Sequence, residues 1–510
     1  MTLARTRSVA LLGMTGAMVD IEADLSSGLP GFTIIGLPDA SLREAYNRVR
    51  SASANSGCPL PGNRITINLS PASLPKHGPA FDLAIAVACL GLEGVVSPEA
   101  MAGIVYLGEL GLDGRLRPVR GVLPAALAAR DAGFTRIMVA AANADEARLV
   151  PGLDVIPVAS LRDAAIWHGA PLEPVPVEVI EPPRTVHETA DQGLDLADVI
   201  GNREAIDALQ VAAAGGHHLL MIGPPGAGKS MLAERLRALL PDLDPGHALQ
   251  VTCLRSIAGA GVGTALEVRP PLEAPHHTAT AAAMVGGGSG QIRPGAAARA
   301  SGGILFLDEA PEFAASVLDT LRQPLESGVI TIHRSNIVAS FPGRFQLVMA
   351  ANPCPCGQWG TADGNCACSP MQRRRYLGRI SGPLLDRIDI RLQIERVTAT
   401  ELRLHEEQPR LGSDQARERV REARDRAAER LAATPWRLNN ELPGSWLRGQ
   451  AALPRQSTAA IDRALERGAI TMRGYDRVLR VAWTNADLAG RAQPSPEDVG
   501  RALFLRRGIT

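Results

Sequence analysis

The octet Gly223-Pro224-Pro225-Gly226-Ala227-Gly228-Lys229-Ser230 ends a glycine-rich stretch in one lysine and one hydroxyl. Such a turn lets backbone N–H groups curl around phosphates. Lys229 can reach the terminal phosphates, and Ser230 can hold Mg2+. Apart from Lys76, Lys229 is the only lysine in the chain. Further on, Ile304-Leu-Phe-Leu-Asp308-Glu309 closes an apolar run with two carboxylates. Asp308 would support the metal through its water shell, and Glu309 would orient and deprotonate an attacking water. Asn352 ends another apolar run and is placed to hydrogen-bond that water or the terminal phosphate. The chemistry these residues would share is hydrolysis of a nucleoside triphosphate held with Mg2+.

A second constellation is Cys354-x-Cys356 with Cys366-x-Cys368. Four thiolates are the number that a closed tetrahedral Zn2+ site takes. Because Cys-x-Cys is tighter than the commoner Cys-x-x-Cys, reduced buried thiols are the alternative reading. The loop starts after Asn352 and runs into Arg373-Arg374-Arg375, so a metal would fix a basic surface close to the nucleotide site. Cys58, Cys89 and Cys253 read as core residues. An odd total of 7 cysteines, four of them in one loop, is not a disulfide framework. The expected compartment is the reducing cytoplasm.

These groups need elements to position them. The apolar runs His218 to Ile222, Gly303 to Leu307 and Phe345 to Ala351 suit central strands of a parallel sheet covered on both faces. Met231 to Leu240 reads as a helix with Leu232, Leu236, Leu239 and Leu240 on one face, stopped by Pro241. Pro171, Pro174, Pro176, Pro182 and Pro183 mark a semi-rigid linker. From about Thr398 the texture turns to charged helix, with Gln415 to Leu431 rich in Arg, Glu and Ala. The expected division is an N-terminal domain over 1–170, a linker over 171–194, a P-loop core over 195–397 and a helical domain over 398–510.

Composition narrows the partners. With 510 residues and 45% apolar side chains, there is material for several cores, which excludes a disordered tail or a fibre. The 53 basic and 53 acidic side chains cancel, so a polyanion must meet a local patch rather than a global field. Aromatics at 3% argue against base stacking as the main binding device. Arg5 and Arg7 before the stretch Ser8 to Val19 look superficially like a secretory leader. Gly13 and Gly16 interrupt that stretch, and a buried strand pair is the better reading. No uninterrupted apolar run is long enough to span a bilayer, so no membrane partner is expected.

The nucleotide motifs resemble those of the AAA+ ATPases, and the detail goes further. Leu196-Ala-Asp-Val-Ile-Gly201, Ala213-Ala-Gly-Gly-His-His218, Ala274-Pro-His-His-Thr278, Leu307-Asp-Glu-Ala-Pro-Glu-Phe313, Asn352-Pro-Cys-Pro-Cys-Gly357 and Ser381-Gly-Pro-Leu-Leu-Asp-Arg-Ile-Asp389 are similar to the ComM/YifB family of magnesium-chelatase-like ATPases. Ser26 to Asp39 extends the resemblance to the N-terminal part. The resemblance implies an α/β architecture: an AAA+ P-loop ATPase core, a Lon-protease-like α/β N-terminal domain and a C-terminal helical lid. It implies a homo-oligomeric, hexameric ring. It further implies a DNA helicase of the ComM kind, acting on single-stranded or branched DNA in branch migration during recombination or natural transformation. The alternative from the same clade is a magnesium-chelatase-type motor that remodels a protein partner.

The resemblance also assigns roles by position. Arg387 matches the arginine finger offered to a neighbouring subunit. Arg473 matches the sensor arginine of the lid, with Arg477 and Arg480 as fallbacks. The stretch Gly328 to Phe341 reads as a hairpin, and the clade's hairpin points into the ring channel, so His333 and Arg334 would face a threaded polymer. A Lon-type dyad needs a serine after Gly-Pro and a lysine further on. Here the stretch is Gly78-Pro79-Ala80, and no lysine lies between Lys76 and Lys229. A catalytically dead scaffold is therefore expected, and the protease reading fails on Ala80. The chain departs from the family pattern at Pro271-Leu272-Glu273, where the family tends to carry an arginine.

Overall fold

The computed structural model describes residues 3–29, 31–181, 194–288, 292–334, 337–360, 366–398, 401–403 and 410–507. The chain begins as the hairpin Leu3–Leu12 and Thr15–Ser26, paired antiparallel with Leu12 opposite Thr15. Gly13 adopts φ +63° in the tight turn, a left-handed conformation that glycine takes without a Cβ penalty. Val19, Ile21 and Ala23 alternate inward and are fully buried, as a strand with one covered face requires. The hairpin sits inside a 7-stranded mixed sheet in the order Gly31–Ile35, Arg64–Ser70, Thr15–Ser26, Leu3–Leu12, Ile104–Leu107, Arg136–Ala140, Asp154–Val158. The helix Asp82–Leu92 carries no exposed face over its length from Asp82 to Leu90 and packs in the core of this unit.

Residues 171–181 have no regular structure, and residues 182–193 of the expected linker lie outside the described residues. Beyond them a second, 5-stranded sheet runs Leu272–Glu273, Ile304–Leu307, Gln346–Ala351, Leu219–Ile222, Ile390–Gln393, with every pairing parallel. The three expected strands are therefore present in one sheet, joined by two more. Leu219, Leu305, Leu347 and their neighbours are buried on both faces, which explains their continuous apolar sequence. The first strand of this sheet in the chain lies between the fourth and the fifth. Its C-terminal end is thus a switch point of the topology, where α/β sheets open a crevice for ligands.

The C-terminal residues form the helices Ser413–Arg430, Arg455–Glu466, Met472–Leu488 and Pro496–Arg507. They do not stand apart. Val420, Ala423, Leu479 and Trp483 share one apolar core with Leu209 and Ala213 of the helix Arg203–Gly215 and Leu236 of the helix Lys229–Leu239. A buried polar cluster stitches the same junction. The fully buried Asp389 accepts from Arg477 at 2.5 Å and from the backbone N–H of His218 at 3.0 Å. Burial pushes the Asp389 carboxyl up, but Arg477, His217 and His218 outweigh it and hold the group well below the usual carboxylate range.

The two sheets are also joined. Glu146, in the N-terminal unit, accepts from the backbone N–H of Leu123 at 2.8 Å and from the Ser256 hydroxyl on the helix Pro245–Ala258. No helix among the described residues is long and apolar enough to cross a membrane.

Candidate nucleotide site

The strand Leu219–Ile222 delivers the chain to Gly223, where a Cβ would come within 2.3 Å of the Ile394 carbonyl oxygen, so only glycine fits. Gly226 and Gly228 take φ +78° and +87°, bending the loop back to start the helix Lys229–Leu239. Lys229 is buried, and its Nζ donates to the carbonyls of Gly223 at 2.6 Å and Pro224 at 3.0 Å and to Asn352 Oδ1 at 3.1 Å. Burial draws the ammonium below its ordinary range, while Asp308 and Glu309 pull it back toward the charged form. The Ser230 hydroxyl donates to Asp308 Oδ2 at 2.7 Å.

Asp308 and Glu309 follow the buried strand Ile304–Leu307. Asp308 Oδ1 accepts the Glu309 backbone N–H at 2.9 Å. Glu309 itself sits at φ +50°, a left-handed conformation that costs a residue with a Cβ about 1 kcal/mol or more. Its side chain is half exposed, with Oε2 at 3.4 Å from His277 Nδ1. His277 lies in the loop after the short strand Leu272–Glu273, against His276 with ring centroids 4.1 Å apart and the rings tilted by 34°. Glu273 receives two bonds from Arg299, at 2.8 and 3.1 Å. A role for His277 beside Glu309 was not read from the sequence, although its Ala274-Pro-His-His-Thr278 motif was the available signal.

Lys229, Ser230, Asp308, Glu309 and Asn352 therefore converge at the ends of three adjacent strands. Arg387 and Arg473 do not join them: neither hydrogen-bonds or ion-pairs with those groups among the described residues. Arg387 is buried, bonding Glu326 and donating to the Pro383 carbonyl at 2.6 Å. Arg473 is exposed and lies 4.0 Å from Asp386, on the Arg387 side of the molecule. Of the fallbacks, Arg477 is engaged with Asp389 and Arg480 donates to the Leu442 carbonyl at 2.7 Å.

The cysteine loop leaves directly from Asn352. The four Sγ atoms of Cys354, Cys356, Cys366 and Cys368 lie within 4.8 Å of one another, with the closest separations at 3.3 and 3.7 Å. These distances exceed the length of a disulfide, about 2.05 Å. They approach the roughly 3.8 Å edge of a tetrahedron with zinc–sulfur bonds of about 2.3 Å. Gly357 of the same loop lies against the phosphate loop, where its added Cβ would come 2.6 Å from the Pro225 ring.

The expected hairpin forms from Val329–Arg334 and Ile337–Pro342, with Arg334 opposite Ile337. His333 and Arg334 are exposed, and the tip residues 335 and 336 lie outside the described residues. The turn at Gly13 is pressed against the second strand, where a Cβ would meet Ser340 oxygen at 2.8 Å. In the N-terminal unit Ala80 lies where the serine of a Gly-Pro-Ser sequence would stand. Lys76 is fully buried, with its Nζ committed to the carbonyls of Gly36 at 3.1 Å, Leu69 at 2.9 Å and Pro71.

Family models match along most of the chain: magnesium chelatase, subunit ChlI, over residues 195–402; subunit ChlI of Mg-chelatase over 21–143; and the subunit ChlI C-terminal model over 410–506. Competence protein ComM of Haemophilus influenzae is 39% identical over 508 residues, covering 99% of this chain and 98% of that protein. The chain belongs to the ComM/YifB family of magnesium-chelatase-like ATPases. An uncharacterized protein of Mycobacterium tuberculosis is 47% identical over 509 residues, 99% of each chain. A part of the chain is also similar to Lon protease of Mycolicibacterium smegmatis, 28% identical over 174 residues, which is 32% of this chain and 22% of that one. Within this family setting, the parallel sheet with the phosphate loop at its switch point is an AAA+ core.

Proposed function

We propose that this protein is a hexameric AAA+ ring motor that hydrolyses ATP to move along single-stranded or branched DNA, as a branch-migration helicase in recombination or natural transformation. The observation that carries the ATPase half is the joining of Lys229 to Asn352 and of Ser230 to Asp308 in one cleft. The DNA half rests on the full-length similarity to a competence protein and on the exposed Arg334, Arg374 and Arg375, with the half-buried Arg373 beside them.

In this reading the N–H groups of Gly223 to Ser230 wrap the phosphates, and Lys229 exchanges its carbonyl partners for the terminal phosphate oxygens. A hydroxyl and a carboxylate, hard oxygen donors that are few in number, fit Mg2+, which keeps several waters. Ser230 and Asp308 would hold it. When bound, the ion supplies charge neutralisation on the phosphates. Glu309 takes the proton of the attacking water as the bond to the terminal phosphorus forms and the bond to the ADP oxygen breaks. Asn352 orients that water or the leaving phosphate oxygens.

Neither Arg387 nor Arg473 pairs with a group of its own chain's cleft, which leaves both for a neighbouring subunit as finger and sensor once Arg387 is released from Glu326. Residues 398–510 act as the helical lid on the core 195–397, tied through Asp389 and Arg477. Residues 1–170 are a Lon-like scaffold without proteolytic activity, since Ala80 has no hydroxyl and Lys76 is engaged elsewhere, and 171–194 form the linker. The four thiolates fit a structural Zn2+, which would brace the loop between Asn352 and the arginine helix. The chain works in the cytoplasm. The test is ATPase turnover with no DNA, and with single-stranded, double-stranded and branched DNA. Turnover that no DNA alters would overturn the DNA half.

A further inference from the structure

The cysteine loop carries an exposed aromatic that the nucleotide chemistry does not use. Trp359 follows Gly357 and Gln358 in that loop, and 46% of its surface is open to solvent. The Arg373 guanidinium lies over its ring, 4.8 Å from the centroid. Arg373 belongs to the helix Pro370–Leu377, whose start is fixed by reciprocal bonds between Ser369 and Gln372 at 2.8 and 3.3 Å. The four sulfur atoms gather this loop beside the stretch that leads into the helix, where the guanidinium meets the ring.

Three more observations define the chemistry of this face. Arg374 and Arg375 are exposed, and none of Arg373, Arg374 and Arg375 forms an ion pair with a carboxylate among the described residues. Many other arginines of the chain do pair with carboxylates, as Arg417, Arg421 and Arg426 do. Met371, on the same helix, is 78% exposed. An indole with one guanidinium over its ring thus lies beside a helix that presents two further arginines and an exposed thioether around its turns.

We propose that this face is a stacking platform for single-stranded DNA: an unpaired base packs on Trp359, and Arg373 to Arg375 hold the flanking phosphates. The inference rests on the DNA-motor reading and deepens it. Single strands fit because their bases are free to leave the stack, whereas a duplex offers this face only phosphates. The partial exposure of the ring suits the role, since one side is covered by Arg373 and the rest is available. The platform also has a path to the nucleotide. Gly357 rests on Pro225 of the phosphate loop, and Asn352, at the base of the same loop, accepts from Lys229. An occupied platform would therefore press on the two groups that hold the terminal phosphate.

The experiment uses the full-length chain and a fluorescein-labelled oligothymidylate of about twenty residues. Binding is read by anisotropy, and the same oligonucleotide carrying 5-iodo-deoxyuridine is photocrosslinked and its adduct mapped by mass spectrometry. The expected result is an adduct on Trp359. Trp359→Ala should weaken binding about tenfold or more, and Trp359→Phe should recover most of it, because any flat ring can stack. Melting temperature and bound zinc are measured for each variant, and the adduct on unmodified protein decides the matter even if Trp359→Ala is poorly folded. An adduct that maps elsewhere, with Trp359→Ala binding like wild type, overturns the proposal. So does a Trp359→Ala chain that loses ring mass in sedimentation while binding the oligonucleotide normally, since the face would then be a contact between subunits. If wild-type protein binds no oligonucleotide at all, the DNA-motor reading has failed first.

Discussion

Gly357 and Pro225 touch across two motifs that are far apart in the chain: a Cβ on Gly357 would lie 2.6 Å from the proline ring. The phosphate loop and the cysteine loop are therefore one packed unit, and disturbing either should be felt in the other. A side chain at Gly357 would also have to adopt φ +74°, a strained conformation.

Removing metal from the cysteine loop should consequently weaken nucleotide binding. One zinc per chain is expected by elemental analysis, and Cys366→Ser should release it. Fluorescent ATP-analogue titration should then show affinity falling by about three- to tenfold, from loss of loop support and not of a phosphate contact. Protein that never contained zinc, or affinity untouched by its removal, would contradict this coupling.

Lys229→Ala removes the charged donor to the phosphates and should cost about ten- to a hundredfold in ATP affinity. Glu309→Gln keeps the shape of the side chain but cannot accept the proton. It should bind ATP normally and lose about a hundredfold or more in turnover. Wild-type hydrolysis by Glu309→Gln would remove it from the mechanism.

The Arg387 assignment is tested by mixing. Arg387→Ala should keep ATP affinity yet lose about a thousandfold in turnover if the finger acts in trans. A Lys229→Ala chain has a finger but no working site, and an Arg387→Ala chain has a site but no finger. Mixed rings should regain part of the activity. No recovery at any ratio of exchange-competent chains would mean that Arg387 serves its own subunit or is not the finger. Because Arg387 is bonded to Glu326 in the isolated chain, Glu326→Ala should free the guanidinium and alter turnover only under conditions where rings form.

Asp389 is fully buried with Arg477 as its guanidinium partner, and Arg477→Met, which leaves only the His217 and His218 contacts, should cost about 3 kcal/mol or more, read as a lower denaturation midpoint. Arg477→Lys should recover only part. The Asp389 carboxyl titrates lower in the folded protein than in the unfolded chain. Its stabilising contribution is therefore complete above the unfolded value of about 3.9 and is lost as pH falls below it toward the folded value. Acid denaturation profiles of wild type and Asp389→Asn should differ in that window. Identical profiles would show that the pair does not govern the junction.

DNA affinity should fall steeply with salt, since a neutral chain meets phosphates only through local arginines. Arg334→Glu should reduce both DNA affinity and DNA stimulation of ATPase. Unchanged stimulation would mean that the hairpin does not face the polymer.

Several features were determined by local sequence. Gly223 to Ser230 could be read because the turn, its lysine and its hydroxyl are consecutive, and the apolar runs before Gly223, Asp308 and Asn352 could be read because strands covered on both faces leave no polar alternation. The hairpin around Arg334 was legible from its apolar and polar alternation about a polar tip, and the helical character of Ser413–Arg430 from its Arg, Glu and Ala content. What needed tertiary structure was every relation between distant segments. That Asn352 meets Lys229, that Asp308 meets Ser230, and that strands Leu272–Glu273 and Ile390–Gln393 complete the sheet follow from parallel pairing across long crossovers, which leaves no local signal. His277 beside Glu309, Glu326 on Arg387 and Arg373 over Trp359 are contacts of side chains that look individually like ordinary surface residues. Their partners are set by how the loops leave the sheet, and only the folded chain brings those loops together.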